Sequence, residues 1–173
     1  MKNSATKELV LSALFIALGV VLPMVFHVIG AGPVFLPMHI PVLLAGFFLS
    51  VPYAALVGIL TPILSSVITG MPPMFPVLPF MVFELLTYGV VVSYMYRKMK
   101  VNIFVALISA MVAGRIAAGI VVWVLATFFM AKLPAPTVFI TGAIAKGIPG
   151  IIIQLVFIPA IVYMLKKQKS VAR

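Results

Sequence analysis

The sequence contains no cysteine and no aspartate, and its only two acidic residues are Glu8 and Glu84. The lack of cysteine excludes disulfides, thiolate metal sites and a cysteine nucleophile. Two carboxylates leave little for acid–base catalysis, and neither an H-E-x-x-H motif nor a G-x-x-x-x-G-K-[ST] phosphate-binding loop is present. We therefore expect no catalytic residue, no metal and no cofactor, and we do not expect an enzyme.

Charged residues are also scarce, at 8%, whereas 65% of the residues are hydrophobic and the mean hydropathy is +1.34. Soluble domains average about 45–50% apolar and about 25% charged residues. A soluble chain of 173 residues could not bury so much apolar surface. The composition predicts a single integral membrane domain over residues 1–173, in contact with the lipid bilayer.

Six apolar segments approach the length of about 20 residues that a membrane-spanning helix requires. They are predicted at Lys7–Phe26, Met38–Leu49, Tyr53–Thr69, Val77–Tyr96, Val101–Met130 and Thr137–Leu165. Proline-rich or basic connections divide several of them, because proline lacks an N–H donor and clashes with the preceding helical turn. The sequence therefore predicts an all-α membrane protein with six transmembrane helices. One long bent helix in place of the second and third would reduce the count to five.

Most of the twelve basic residues lie at the chain ends or in one short connection. These are Lys2, Lys7, Arg97, Lys98, Lys100, Lys166, Lys167, Lys169 and Arg173. Six crossings place all of them on one side of the membrane, and only Lys132 falls in an outer loop. Cytoplasmic loops are enriched in lysine and arginine, so the N and C termini are expected to be cytoplasmic. The same pattern argues against nucleic acid as a partner.

Three charged residues, Glu84, Arg115 and Lys146, remain inside the apolar segments. A charge at the bilayer centre costs at least about 2.5–3.5 kcal/mol, so it normally faces a partner or a cavity. With a rise of about 1.5 Å per residue, all three fall in the outer-to-middle part of the membrane. A structural salt bridge is one interpretation, but one carboxylate cannot neutralise two cations. The surplus positive charge favours a pocket for an anionic or strongly hydrogen-bonding ligand.

Further polar and aromatic residues are candidates for the same pocket. Thr87 and Tyr88 follow Glu84 by three and four residues, which places them on the same helix face. Trp123, in the outer part of the fifth helix, is either an interfacial aromatic residue or a pocket residue.

The segment Gly30–Gly46 interrupts the apolar sequence with Gly-Ala-Gly-Pro and carries His39. We interpret it as a re-entrant cap over a pocket that faces the outside, with His39 at a membrane boundary. His39 is either a solvated or capping residue or a ligand contact. Met71 and Met74, in the outer loop, are candidates for an adaptable apolar lid, because methionine side chains are flexible.

Ala13 and Ala17, in the first helix, are four residues apart, so their side chains share one helix face. Small residues at this spacing let another helix approach closely. The spacing alone leaves open whether that helix belongs to this chain or to a partner protein.

Several segments resemble a known family. They are Ser12–Ala17 (SALFIA), Gly32–Gly46 (GPVFLPMHIPVLLAG), Thr61–Ser66 (TPILSS) and the pair Phe83 and Glu84. Together with six short helices and no ATPase motif, they resemble the substrate-binding S component of energy-coupling factor (ECF) vitamin transporters. The resemblance covers nearly the whole chain.

The resemblance implies a multi-pass protein of a prokaryotic plasma membrane that captures a water-soluble vitamin from outside. Ala13 and Ala17 would contact the transmembrane coupling subunit, which two ATPase subunits drive. The S component would then topple in the membrane and deliver its ligand inward. The positive pocket favours an acidic vitamin such as pantothenate or nicotinate, with pyridoxine and riboflavin as further candidates.

Two other functions remain open from the sequence. A stand-alone carrier or channel for a small organic anion would need access from both sides, whereas the intramembrane charges cluster toward one side. A membrane-embedded lipid enzyme could use His39 and Glu84 as base and acid, although the scarcity of acidic residues disfavours it.

Overall fold

The computed structural model describes residues 2–28, 30, 32–129 and 135–171, with side chains for residues 5–26, 30, 34–129 and 135–167. Within these ranges the chain is helical and contains no strand. The helices are α1 (Lys2–Val28), α2 (Gly32–Phe35), α3 (His39–Phe48), α4 (Val51–Thr69), α5 (Val77–Val92), α6 (Ile103–Phe128) and α7 (Pro136–Val171). A π-helix, Ser93–Lys98, continues α5.

In the described part of the chain, 5 helices are long and apolar enough to cross a membrane. They are α1, α4, α5 with its π-helical extension, α6 and α7. The predicted all-α fold is therefore confirmed. The remaining predicted helix is α3, whose 10 residues extend about 15 Å, half of a bilayer core of about 30 Å. The structure does not test the predicted cytoplasmic location of the termini.

The helices α3 and α4 are separate, which excludes the single bent helix. Leu49 and Ser50 between them have extended backbone conformations. Pro52 lies in the first turn of α4, where the missing N–H donor costs nothing because the first N–H groups of a helix have no partner within it. The break thus follows from the local sequence.

At one end of the bundle, Glu8 connects three parts of the chain. Its carboxylate accepts hydrogen bonds from the Ser50 hydroxyl and from the Ser50 backbone N–H, the latter at 3.1 Å. It also pairs with Arg97, at 3.6 Å between Nη2 and Oε1. Arg97 in turn donates to the carbonyl of Phe48, at 3.1 Å, near the end of α3. The start of α1, the α3–α4 turn and the π-helix therefore meet at the same end.

The packed core occupies the half of the bundle nearer to Glu8. Its members come from α1, α3, the start of α4, the end of α5, the start of α6 and the end of α7. They include Phe15, Val42, Leu43, Ala54, Val57, Leu85, Val92, Leu107, Ile158 and Val162. The opposite half of the bundle contains a cavity, described below.

Replacing Glu8 with glutamine should lower the thermal unfolding temperature of the purified protein in detergent. The amide removes the charge that pairs with Arg97 and weakens the bonds from Ser50. Because the pair is partly exposed, we expect a loss of about 1 kcal/mol. Lys7→Gln, at the neighbouring exposed position, is the matched control. An unchanged unfolding temperature in Glu8→Gln would contradict a stabilising role for this contact.

Candidate functional site

The site is organised around the carboxylate of Glu84, which lies about two turns into α5 and is 2% exposed. Its Oε1 is 2.8 Å from Arg115 Nη1 on α6 and accepts a hydrogen bond of 2.9 Å from the Tyr88 hydroxyl. The Nε2 atom of His39, the first residue of α3, lies 3.5 Å from the same oxygen. One carboxylate oxygen thus joins α3, α5 and α6.

The sequence of α6 makes room for this cluster. A Cβ atom at Gly114 would overlap the ring of Tyr88, so only glycine lets the tyrosine ring approach α6 this closely. The next residue, Arg115, reaches Glu84 from the same turn. One turn of α6 therefore supplies both the space for the ring and the cation for the carboxylate.

His39 is buried, at 3% exposure, and its ring is tilted against that of Tyr88 with centroids 5.5 Å apart. Neither ring nitrogen has a hydrogen-bond partner among the described residues. The sequence predicted that His39 begins a helix at a membrane boundary, and the structure adds that its side chain lies in the bundle interior beside Glu84. Leu36, three residues before His39, lies in the left-handed region (φ 49°), where the chain turns ahead of α3.

A cavity of about 440 Å³ adjoins this cluster, within the range of about 300–1,000 Å³ typical of small-molecule sites. Its charged and imidazole lining comes from His39, Glu84, Arg115 and Lys146. Its other lining residues are Pro23, Leu36, Pro37, Met38, Met71, Pro72, Pro73, Val77, Phe80, Met81, Phe139 and Ala143. The cavity is therefore mainly apolar, with its polar groups contributed by α3, α5, α6 and α7.

The loop between α4 and α5 is held against the cavity by the last turns of α4. The Ser65 hydroxyl donates to the carbonyl of Met71, and the Ser66 hydroxyl donates to that of Pro72, each at 2.7 Å. These bonds satisfy loop carbonyls that would otherwise lie near an apolar cavity without donors. Met71 lines the cavity, whereas Met74 is 63% exposed and does not.

Lys146 lines the cavity from α7. In the described part of the chain, no carboxylate lies within ion-pair distance of its amine. Since Arg115 neutralises Glu84, the charge of Lys146 gives the cavity a net positive charge.

Gly150, one turn further along α7, lets α2 pack directly on that helix, because a Cβ there would lie 2.7 Å from the carbonyl oxygen of Phe35.

The structure brings together five of the residues that the sequence proposed for substrate binding. Four of them line the cavity: His39, Glu84, Arg115 and Lys146. Tyr88 does not line it but donates a hydrogen bond to Glu84. Two others do not line it. Thr87 donates to the carbonyl of Phe83 in its own helix, at 2.7 Å, and Trp123 is 53% exposed and contacts Phe128. Lys132 lies outside the described residues.

Sequence reasoning missed the aromatic wall. Phe80 and Phe139 form an edge-to-face pair with centroids 4.8 Å apart, and both line the cavity. A signal was present, because Phe80 precedes Glu84 by four residues and Phe139 precedes Lys146 by seven, both helical spacings. Apolar residues at that spacing are common in membrane helices, so the signal was weak.

The cavity, about 440 Å³ in volume, thus lies inside a bundle whose described part contains 5 helices long and apolar enough to cross a membrane. The family model for the ECF transporter, substrate-specific component, matches residues 7–162. The chain therefore belongs to this family, which comprises substrate-binding components of transporters and not enzymes. No curated protein and no solved structure matches the chain.

Gly114→Ala should destabilise the protein by about 1–3 kcal/mol, the usual cost of overpacking. The added methyl must displace the Tyr88 ring and with it one hydrogen bond to Glu84. Gly142→Ala is the matched control, because a Cβ there meets nothing within 4 Å. Thermal unfolding in detergent measures both variants. Equal unfolding temperatures would show that Tyr88 does not depend on the gap at Gly114.

Proposed function

We propose that this protein is the substrate-capture subunit of an ECF-type importer in a prokaryotic plasma membrane. It binds one water-soluble, vitamin-like molecule from outside in the cavity beside Glu84, with preference for an acidic one. The observation that carries the proposal is Lys146, an exposed residue that lines a mainly apolar cavity and has no carboxylate partner in the described part of the chain.

The lining supports a ligand with a carboxylate at one end and an apolar or flat body. The carboxylate pairs with Lys146, and the body lies against Phe80 and Phe139. His39 offers a hydrogen bond from a ring nitrogen that has no partner among the described residues. Pantothenate and nicotinate fit this description, and the volume of about 440 Å³, in the lower part of the usual range, favours them over riboflavin. Pyridoxine tests whether the acid is needed.

The surface of α1 supports a separate contact with the coupling subunit. Ala13 and Ala17 are both exposed and lie on one face, so a partner helix could approach the backbone closely. Neither residue lines the cavity. Substrate capture and assembly with the ATP-driven module therefore use different parts of the protein.

The packed core disfavours the stand-alone carrier or channel. A path through the bundle would have to cross the layer of Glu84, Arg115 and Tyr88 and then the buried core behind it. The lipid enzyme is disfavoured because Arg115 and Tyr88 already engage Glu84, which leaves it poorly placed to exchange protons with a substrate.

Lys146→Met should weaken binding of an acidic ligand by about 10- to 100-fold, because a hydrogen bond to a charged group contributes about 1.5–3 kcal/mol. The measurement is calorimetric titration of the purified protein with pantothenate, nicotinate, pyridoxine and riboflavin. Lys167→Met, an exposed lysine on the same helix, is the control. Equal losses for acidic and neutral ligands would argue against charge recognition. Failure of the folded wild type to bind any of them would overturn the proposed ligand class.

Ala13→Trp should leave ligand affinity unchanged but prevent co-purification with the coupling subunit and its ATPases. The bulky ring would fill the gap through which the partner helix approaches. Ala160→Trp, an equal change at an exposed position on α7, should assemble normally. Normal assembly of Ala13→Trp would exclude this face of α1 as the docking surface.

A further inference from the structure

A second cavity, of about 540 Å³, lies at the end of the bundle where Glu8 meets Arg97. We call it the basic cavity, and its polar lining residues are Tyr96, Arg97, Lys100, Asn102, Tyr163 and Lys166. It is formed by the π-helix, the turn into α6 and the last part of α7, with Phe47 of α3 at its wall. It shares no lining residue with the cavity beside Glu84.

The basic cavity has unbalanced positive charge. Arg97, Lys100 and Lys166 line it, and no carboxylate does so among the described residues. Of the two acidic residues in the chain, Glu84 lies in the other cavity, and Glu8 pairs with Arg97 from outside the lining. At least two of the three cations therefore lack a carboxylate partner and are free to hold an anion.

The side chain of Tyr96 forms part of the wall of the basic cavity. The Tyr96 hydroxyl is buried and has no hydrogen-bond partner in the described ranges. Its ring is fixed between Phe47, at a centroid distance of 4.8 Å, and the Lys166 amine, which lies 4.6 Å from the ring centre. A buried hydroxyl without a partner is unfavourable, so the Tyr96 hydroxyl would gain from an acceptor that approached it from the cavity.

Arg97 is held in place by contacts that use only some of its N–H donors. Its Nη1 donates to the carbonyl of Phe48 at 3.1 Å, and its Nη2 lies 3.6 Å from Glu8. A guanidinium has five N–H donors, so others remain for a ligand. Arg97 lines the basic cavity, and the planar guanidinium group is well suited to bind phosphate.

The backbone around the basic cavity departs from regular helix. Ser93–Lys98 is π-helical, and Lys100 has a φ of 61°, the left-handed region that a residue with a side chain seldom adopts. Asn102 then begins α6, its side chain accepting from the N–H of Phe104 at 2.8 Å. The positive-inside pattern requires only that cations lie at this end. It does not require that they surround one cavity.

We propose that the basic cavity binds a phosphate-bearing anion, either the headgroup of an anionic phospholipid or a free phosphate compound. Arginine, lysine and the tyrosine hydroxyl all donate to phosphate oxygens, and the positive N-terminal end of α6 adds to the attraction. Basic pockets between transmembrane helices are known to take lipid headgroups. The apolar Val101 and Ile103 in the lining suit the glycerol and acyl part of a lipid.

Native mass spectrometry of the purified full chain tests the proposal. Phosphatidylglycerol or phosphatidylcholine with the same acyl chains is added, and the bound lipid is counted. Wild-type protein should retain one phosphatidylglycerol molecule at least about tenfold better than phosphatidylcholine, because basic residues near the membrane surface attract anionic lipids. A separate thermal unfolding series compares millimolar inorganic phosphate with chloride at equal ionic strength.

The double variant Lys100→Gln/Lys166→Gln should lose this retention about tenfold. The matched control is Lys7→Gln/Lys167→Gln, which removes the same charge from exposed lysines outside the lining and should behave as wild type. Tyr96→Phe, which keeps every charge, should show a smaller loss. Unfolding temperatures without lipid or phosphate confirm that each variant is folded.

The two sources of phosphate give different results. Selective retention of phosphatidylglycerol, unaffected by millimolar phosphate, supports a lipid headgroup. Stabilisation by inorganic phosphate that the Lys100→Gln/Lys166→Gln variant loses supports a free phosphate compound. Equal retention of both lipids with no effect of phosphate overturns the proposal, as does an equal loss in the Lys7→Gln/Lys167→Gln control.

Discussion

The structure depends on one buried carboxylate. Glu84 is 2% exposed, and an ion removed from water costs several kcal/mol unless partners compensate for it. Arg115 and Tyr88 do so, with His39 nearby, and together they fix α3, α5 and α6 relative to one another. Removing one partner of such a pair typically costs about 3–5 kcal/mol. These four residues also lie between the packed core and the cavity. The contacts of Glu84 therefore both position the polar lining and close the cavity on the side of the core.

The scarcity of acidic residues determines how charge is distributed. With two carboxylates and twelve cations, the chain engages one carboxylate at each end of its bundle, Glu8 with Arg97 and Glu84 with Arg115. Each pair lies beside a cavity that retains at least one lysine without a carboxylate partner in the described part of the chain. Both cavities are therefore suited to anions, although the first is mostly apolar and the second is lined by several polar groups.

The sequence predicted the helices well, and it selected two of the charged residues that the structure brings together, because both depend on strong local costs. The proline-rich segment after Thr69 set the end of α4 and the start of α5 at Val77, as observed. The cost of burying a charge identified Glu84 and Arg115. Spacing could not separate Thr87 from Tyr88, since residues three and four positions away share a face. The inward position of His39 depends on contacts among distant helices that no local pattern encodes.

The cavity lies where the half of the bundle opposite Glu8 would otherwise have its packed interior. A molecule bound there would supply contacts that the helices do not make with each other, so the ligand would contribute to the stability of the folded bundle. Any ligand that binds only the folded state stabilises it, by about 2.7 kcal/mol at a hundredfold excess over the dissociation constant. If the cavity is the binding site, the resistance of this protein to unfolding and proteolysis would rise and fall with the supply of its ligand.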